Sequence, residues 1–255
     1  MNAGSAIRLC LIALGLGLAP LGALAQMSPE VKAAQAVSLV EPALPADVEF
    51  ARNIAHIRAD LLIADALVKE RDWVDARPHV NFPREEIYGV IRDELRAYKM
   101  PPFDGALREL AGAVAARNIK NYGRALKKVQ AGLTVADMGL QARQKDWPRF
   151  TLMVAAAILG DAADEYDDAV TNGRIVHAIG YQSARGIVSE ADRMVENVAT
   201  ELAARDAETL QGVRGNMIHL KDVFASVAAP KEPRADVDTV RKLVAQAGAL
   251  MRAVK

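Results

Sequence analysis

Apolar side chains recur along most of this chain at alternating steps of four and three. Phe50, Ile54, Ile57, Leu61, Ala64 and Val68 form one series. Tyr122, Leu126, Val129, Leu133, Ala136 and Leu140 form a second, and Leu152, Ala156, Leu159, Ala163, Tyr166 and Val170 a third. Such steps return to one face of an α-helix, so each series is the seam of a helix packed as a bundle member. Shorter seams follow the same period: Ile87, Val90, Ile91, Leu95 and Tyr98; Leu107, Leu110 and Val114; Val188, Ala191, Val195, Val198 and Leu202; Leu210, Val213, Met217, Leu220 and Phe224; and Val240, Val244, Ala247 and Met251. No stretch alternates with period two over a useful length. The pattern predicts an all-α protein, an up-and-down helical bundle or stacked antiparallel helical hairpins, with about seven or eight helices.

Punctuation between the seams sets the expected boundaries. Asp47, after Pro45, is placed to cap the first helix, and Asp104 the one after Pro101-Pro102. Trp73, Ala76 and Val80 open a short piece that Pro78 weakens. Asn81 and Pro83 restart a helix, with Glu85 and Glu86 in its first turn. The Tyr122 seam is expected to run to about Gln144, crossing Gly132 at a cost of about 1 kcal/mol against Ala. Asp146-Trp147-Pro148 breaks it. Asn172-Gly173 reads as a helix stop, and Ile175 as the opening of the next helix. Gly186 reads as a site of close helix crossing. Residues 229–233, Ala-Pro-Lys-Glu-Pro, form the last linker.

The start of the chain does not fit this scheme. Arg8 supplies a positive n-region, Leu9 to Ala19 an apolar run too short to span a bilayer, and Ala23-Leu24-Ala25 an A-x-A site. Residues 1–25 read as a cleavable secretory signal. Residues 26–46 read as a linker or strap, and 47–255 as a single helical domain, divisible into hairpin-based halves at 47–145 and 149–255. The expected location is periplasmic or secreted, with no stable membrane insertion after cleavage.

Composition then narrows the chemistry. The one cysteine, Cys10, falls inside the signal. The mature chain is therefore expected to be free of disulfides, thiolate catalysis, Cys-ligated zinc, iron–sulfur clusters and covalent haem. Removing Arg8 from the 32 basic residues leaves 31 against 32 acidic ones. A balanced surface gives no electrostatic case for nucleic acid. At 5% aromatic content the core must be built of Ala, Leu, Val and Ile, which suits close helix packing.

Three short stretches share a polar turn, a large apolar residue and Ala three positions on. They are Asp72-Trp73 to Ala76, Asn121-Tyr122 to Ala125 and Arg174-Ile175 to Ala178, at spacings of 49 and 53 residues. The first two resemble the helical-hairpin core of tetratricopeptide repeats over about five residues per unit. The spacing differs from that family's, so the likeness implies hairpin packing.

Two groups of side chains are candidates for metal ligation. His56 and Asp60 lie on one stripe of the first helix with Asn53, and an antiparallel return could bring His79 and Glu86 to them. Two imidazoles and two carboxylates suit a divalent ion such as Zn, Fe, Cu or Mn. The second group is the acidic stripe Asp161, Asp164, Glu165 and Asp168, joined by His177 across the Asn172-Gly173 turn. Like charges one turn apart disfavour a helix, so the stripe reads as a solvated acidic face or as one offset by a cation, or by Arg174 and Arg185. No H-E-x-x-H, no E-x-x-H, no calcium loop and no G-x-S-x-G is present. The H-x-x-E of imelysin-type bundles is absent too, because no His has Glu three residues on. No nucleophile–base–orienter set can be assembled. The favoured reading is a non-enzymatic binding or scaffold protein with a protein or peptide partner. The alternative is a periplasmic divalent-metal binder, and the third reading is a carboxylate-based hydrolase.

Overall fold

The helix α1 (Ala46–Lys69) carries its apolar seam through Phe50, Ile54, Ile57, Leu61, Ala64 and Val68. It also buries a second stripe, Ala51, Ala55 and Ala59, on another face. A helix apolar on several faces must be wrapped by neighbours. In the computed structural model, which describes residues 44–254, four helices supply most of that wrapping. They are α2 (Trp73–Phe82), α5 (Ile119–Gln141), α6 (Trp147–Ala169) and α7 (Ala178–Asn197). The signal and most of the linker expected at 1–46 lie outside the described residues.

Two sets of helices flank α1. On one side α2, α4 (Asp104–Ala115) and α5 stack, with α2 on α4 and α4 on α5. Between α2 and α3 (Tyr88–Ala97) the chain makes a π-helical turn, Pro83–Ile87. Pro78 and Pro83 each remove a backbone donor, so the regular ladder cannot continue and the turn widens. On the other side α6, α7, α8 (Ala199–Val223) and α9 (Val237–Ala253) close a ring. Neighbours around it are α6 on α7, α7 on α8, α8 on α9 and α9 back on α6. Residues 46–255 form one compact unit. The all-α bundle expected from the periodicity is the architecture found. Among the described residues, no helix is long and apolar enough to cross a membrane.

Several boundaries differ from the sequence reading, each for a local reason. Asn172 and Gly173 both take positive φ, 51° and 70°. Two such residues in succession make a hairpin turn, not a helix stop. They join the short strands β1 (Val170–Thr171) and β2 (Arg174–Ile175), so the next helix starts at Ala178 and not at Ile175. The third copy of the Trp73-type pattern is therefore not a helix start. The first two are, and their aromatics meet edge to face, Trp73 on Tyr122 at 6.4 Å. Asp47 is not a cap, because α1 already begins at Ala46; its carboxylate accepts from the Tyr98 hydroxyl and from Gln144 Nε2. Asp104 is likewise the first helical residue, preceded by Phe103 at the cap. The helix through Tyr122 ends at Gln141.

Two glycines mark where helices come closest. A Cβ at Gly186 on α7 would stand 2.6 Å from the Ala59 carbonyl of α1. One at Gly132 on α5 would stand 2.8 Å from Phe103 Cβ. The helix-propensity cost at Gly132 is thus the cost of letting Phe103 lie against the backbone.

Candidate functional site

The close α1–α7 crossing at Gly186 brings charged and polar groups of α1, α2, α6 and α7 into one band. His79 on α2 is 1% exposed. Its Nδ1 stands 2.9 Å from Asp60 Oδ1 on α1, and its Nε2 3.1 Å from Gln182 Oε1 on α7. With an oxygen acceptor at both nitrogens the ring is set to donate twice, as an imidazolium does. Burial alone would depress the imidazole. The bond to Asp60, the Asp60 charge and the bond to Gln182 outweigh that and hold His79 above its ordinary value. Asn53, two turns before Asp60, is buried with its Oδ1 unpartnered.

Two turns of α6 carry the rest. Arg52 of α1 grips Asp161 with both ends of its fork, Nε at 2.8 Å and Nη2 at 2.5 Å. His56 Nε2 adds a contact at 2.8 Å to the same carboxylate. Burial works against the charge on Asp161, but the bonds from His56 and Arg52 prevail and keep it below the usual carboxylate range. Glu165, one turn on, makes no such ion pair among the described residues. The residue as a whole is exposed, yet its carboxyl is crowded by protein. Loss of water there, then the charge of Asp60, push it up to about 7 against the counter-pull of His56; Asp168 and Asp161 add to the rise.

These placements regroup the sequence candidates. Asp60 and His79 are joined, as an antiparallel return allows. His56 instead pairs with Asp161 of the acidic stripe, so the two groups interleave across α1 and α6. Glu86 stays outside, exposed on the π-helical turn. Asp164 and Asp168 are exposed on α6. His177 is exposed at the α7 cap, with its backbone N–H spent on the Ala169 carbonyl at 3.3 Å. The acids are offset from other helices than expected. Arg52 of α1 neutralises Asp161, and Arg241 of α9 reaches Asp167 at 2.6 Å. Arg185 is turned to the Phe224 carbonyl, 3.0 Å away.

Arg52 and Gln182 were not among the sequence candidates. Arg52 had a signal, one turn before His56 on the same stripe, whereas nothing near Gln182 pointed to a histidine on a helix over a hundred residues away. Chemically the band is a set of committed ion pairs with one protonatable carboxyl beside it. Among the described residues, no three His or carboxylate side chains gather closely enough to hold a metal ion. Both oxygens of Asp161 already face cations, and both nitrogens of His79 are occupied.

Comparison with known proteins adds one likeness. Residues 141–255 match the family model described as the iron permease-associated 4-helix bundle domain. That span holds α6 to α9, the closed ring of helices, and covers less than half of the chain. No curated protein and no solved structure matches.

Proposed function

We propose that this protein is an exported, non-enzymatic helical-bundle partner that serves an iron permease. The similarity of residues 141–255 to a bundle domain associated with iron permeases carries the reading. The matched span coincides with a complete ring of four helices, so the likeness concerns a whole packing unit. Two further observations support it. The Arg8, Leu9–Ala19 and Ala23-Leu24-Ala25 pattern has the form of an export signal. The one buried histidine is locked between Asp60 and Gln182 and has no freedom to shuttle protons to a substrate.

The test is uptake of radiolabelled iron by cells lacking the protein, grown under iron limitation. Uptake is expected to fall several-fold, to be restored by the full chain, and not to be restored by a chain starting at Gln26. Unchanged uptake in the deletion strain would overturn the reading.

A second reading, that the α1–α6 band takes a divalent cation directly, draws support from Glu165. A carboxyl held near neutrality by crowding and by Asp60 gains from a cation beside it. Asp161 would have to leave Arg52 to complete the ligands. Calorimetric titration with Fe(II), Mn(II) and Zn(II) tests this, and a heat signal equal in wild type and Glu165→Gln would exclude it.

A further inference from the structure

The chain is balanced as a whole, with 32 basic and 32 acidic residues, but the charges are segregated along it. Across α5 and its flanks, residues 117–145, the basic side chains are Arg117, Lys120, Arg124, Lys127, Lys128, Arg143 and Lys145, and the one acid is Asp137. The stretch from Asp161 to Asp168 on α6 holds acids and no base. All of these α5 and flanking basic residues are exposed.

Few of these cations are spent inside the protein. Lys128 reaches Glu109 of α4 at 2.6 Å. The other acids of α4, of α5 and of the turn after it are taken by other arginines: Asp104 by Arg108, Asp137 by Arg58 and Asp146 by Arg205. Among the described residues, Arg117, Lys120, Arg124, Lys127, Arg143 and Lys145 make no ion pair. Arg124 stands one turn from Lys120, Lys127 and Lys128, and like charges at that spacing work against the helix. A face of this kind gains from an anionic surface laid against it.

The cations share their face with apolar side chains. Arg124, Lys128, Ala131, Val135, Met138 and Ala142 step by four and three, so they form one stripe about 27 Å long, with Lys120 and Lys127 one turn from Arg124 beside it. It lies opposite the Tyr122-to-Leu140 seam that α5 buries. Val135 is 39% exposed and Met138 64%. Lysines and Arg124 hold one end of the stripe, Arg143 and Lys145 follow the other, and the apolar residues lie between.

We infer that this face of α5 docks on a membrane surface of anionic lipid headgroups. The Lys and Arg stems reach the phosphates, while Val135 and Met138 settle toward the boundary with the acyl chains. The opposite face of α5 stays packed in the core, so the docking is peripheral. A nucleic acid would set Val135 and Met138 against phosphate, and this face offers it no exposed aromatic ring to stack on. An uncharged membrane would leave the cations unanswered. Vesicle binding is measured without iron uptake, so its failure and that of the permease reading are distinguishable.

The test is cosedimentation of the chain from Gln26 with vesicles of phosphatidylcholine alone or mixed with phosphatidylglycerol. Binding is expected to the mixed vesicles only, and it should weaken as sodium chloride is raised. Each cation removed should cost about fivefold, so Lys120→Gln with Lys127→Gln should bind about 25-fold more weakly. Met138→Gln, which leaves the charge unchanged, should bind at least about threefold more weakly. Lys231→Gln with Lys242→Gln removes the same charge at exposed positions outside α5 and should bind as wild type does. All these positions are exposed, so every variant should melt with the wild type. No binding to mixed vesicles, as a face meant for an acidic protein would give, would overturn the assignment. So would equal binding to both kinds of vesicle, wild-type binding by either α5 variant, or an equal loss in the Lys231 and Lys242 variant.

Discussion

Gly186→Ala probes the contact on which the whole polar band depends. The new methyl would stand 2.6 Å from the Ala59 carbonyl oxygen and 2.9 Å from Ile63 Cγ1. Ile63 can turn, but the Ala59 carbonyl belongs to the backbone of a buried helix and cannot. Two effects oppose each other. Replacing Gly by Ala inside a helix returns about 1 kcal/mol of propensity. Overpacking a tight contact costs about 1–3 kcal/mol, and a backbone obstacle puts this site at the upper end. The net expectation is a loss of about 1–2 kcal/mol. For a chain of this length that lowers the melting temperature by about 2–8 °C. Gly160→Ala is the control. It lies on the exposed side of α6 with nothing within 4 Å, so only the propensity gain applies and stability should rise by about 0.5–1 kcal/mol. Thermal and urea melts of the two variants, side by side with wild type, give the sign directly. If Gly186→Ala shifted stability upward in parallel with Gly160→Ala, α1 and α7 would not cross so closely. The positions of Asp60, His79 and Gln182 relative to one another would then fall with the crossing.

Two predictions concern protonation. Asp60→Ala leaves the His79 imidazole buried without its carboxylate and should cost about 3–5 kcal/mol, read by urea melts near pH 6. Because His79 is held above its ordinary 6.5, the stability from this pair is fully present below that pH and is lost as pH rises through the folded-state value. A wild type whose stability did not decline above pH 6.5, or an Asp60→Ala variant with the same decline, would refute the pairing. For Glu165, raised from 4.5 to about 7, the folded state holds the proton more tightly than the unfolded chain. Stability from that proton is present below about 4.5 and falls as pH rises toward 7. Glu165→Gln should flatten that window in a pH series of melts, and an unchanged slope would show that the carboxyl is ordinary.

Most of the helices were legible because their seams repeat over five or six positions, and that many coincidences leave little room for another period. The Phe50-to-Val68 seam became α1, and the Tyr122-to-Leu140 seam became α5. What the seams did not show was the second buried stripe of α1. Ala51, Ala55 and Ala59 are small enough to read as neutral filler, yet all three are buried, and Ala59 is where Gly186 of α7 comes closest. The hairpin at Asn172-Gly173 was misread because the same two residues end helices and turn strands. Which of the two occurs depends on whether the next residues find a strand partner, and Ile175 finds Val170.

The site was harder to read because periodicity places side chains on one helix but does not choose their partners on others. Asp60 and His79 are close in sequence, and a hairpin return was enough to join them. His56 and Asp161 are 105 residues apart, so no local rule could pair them. Charge arithmetic offered a solvated acidic face for α6, or a cation, or Arg174 and Arg185, the nearest in sequence, to offset it. The structure uses Arg52, because α1 lies between the two halves of the fold and its polar stripe is the one that α6 meets. A helix in that position serves as the shared wall for every group placed on either side of it. On one side it sets Asp60 against His79, and on another it sets Arg58 against Asp137 of α5. A shift of α1 along its axis would therefore disturb the pairs on both sides together.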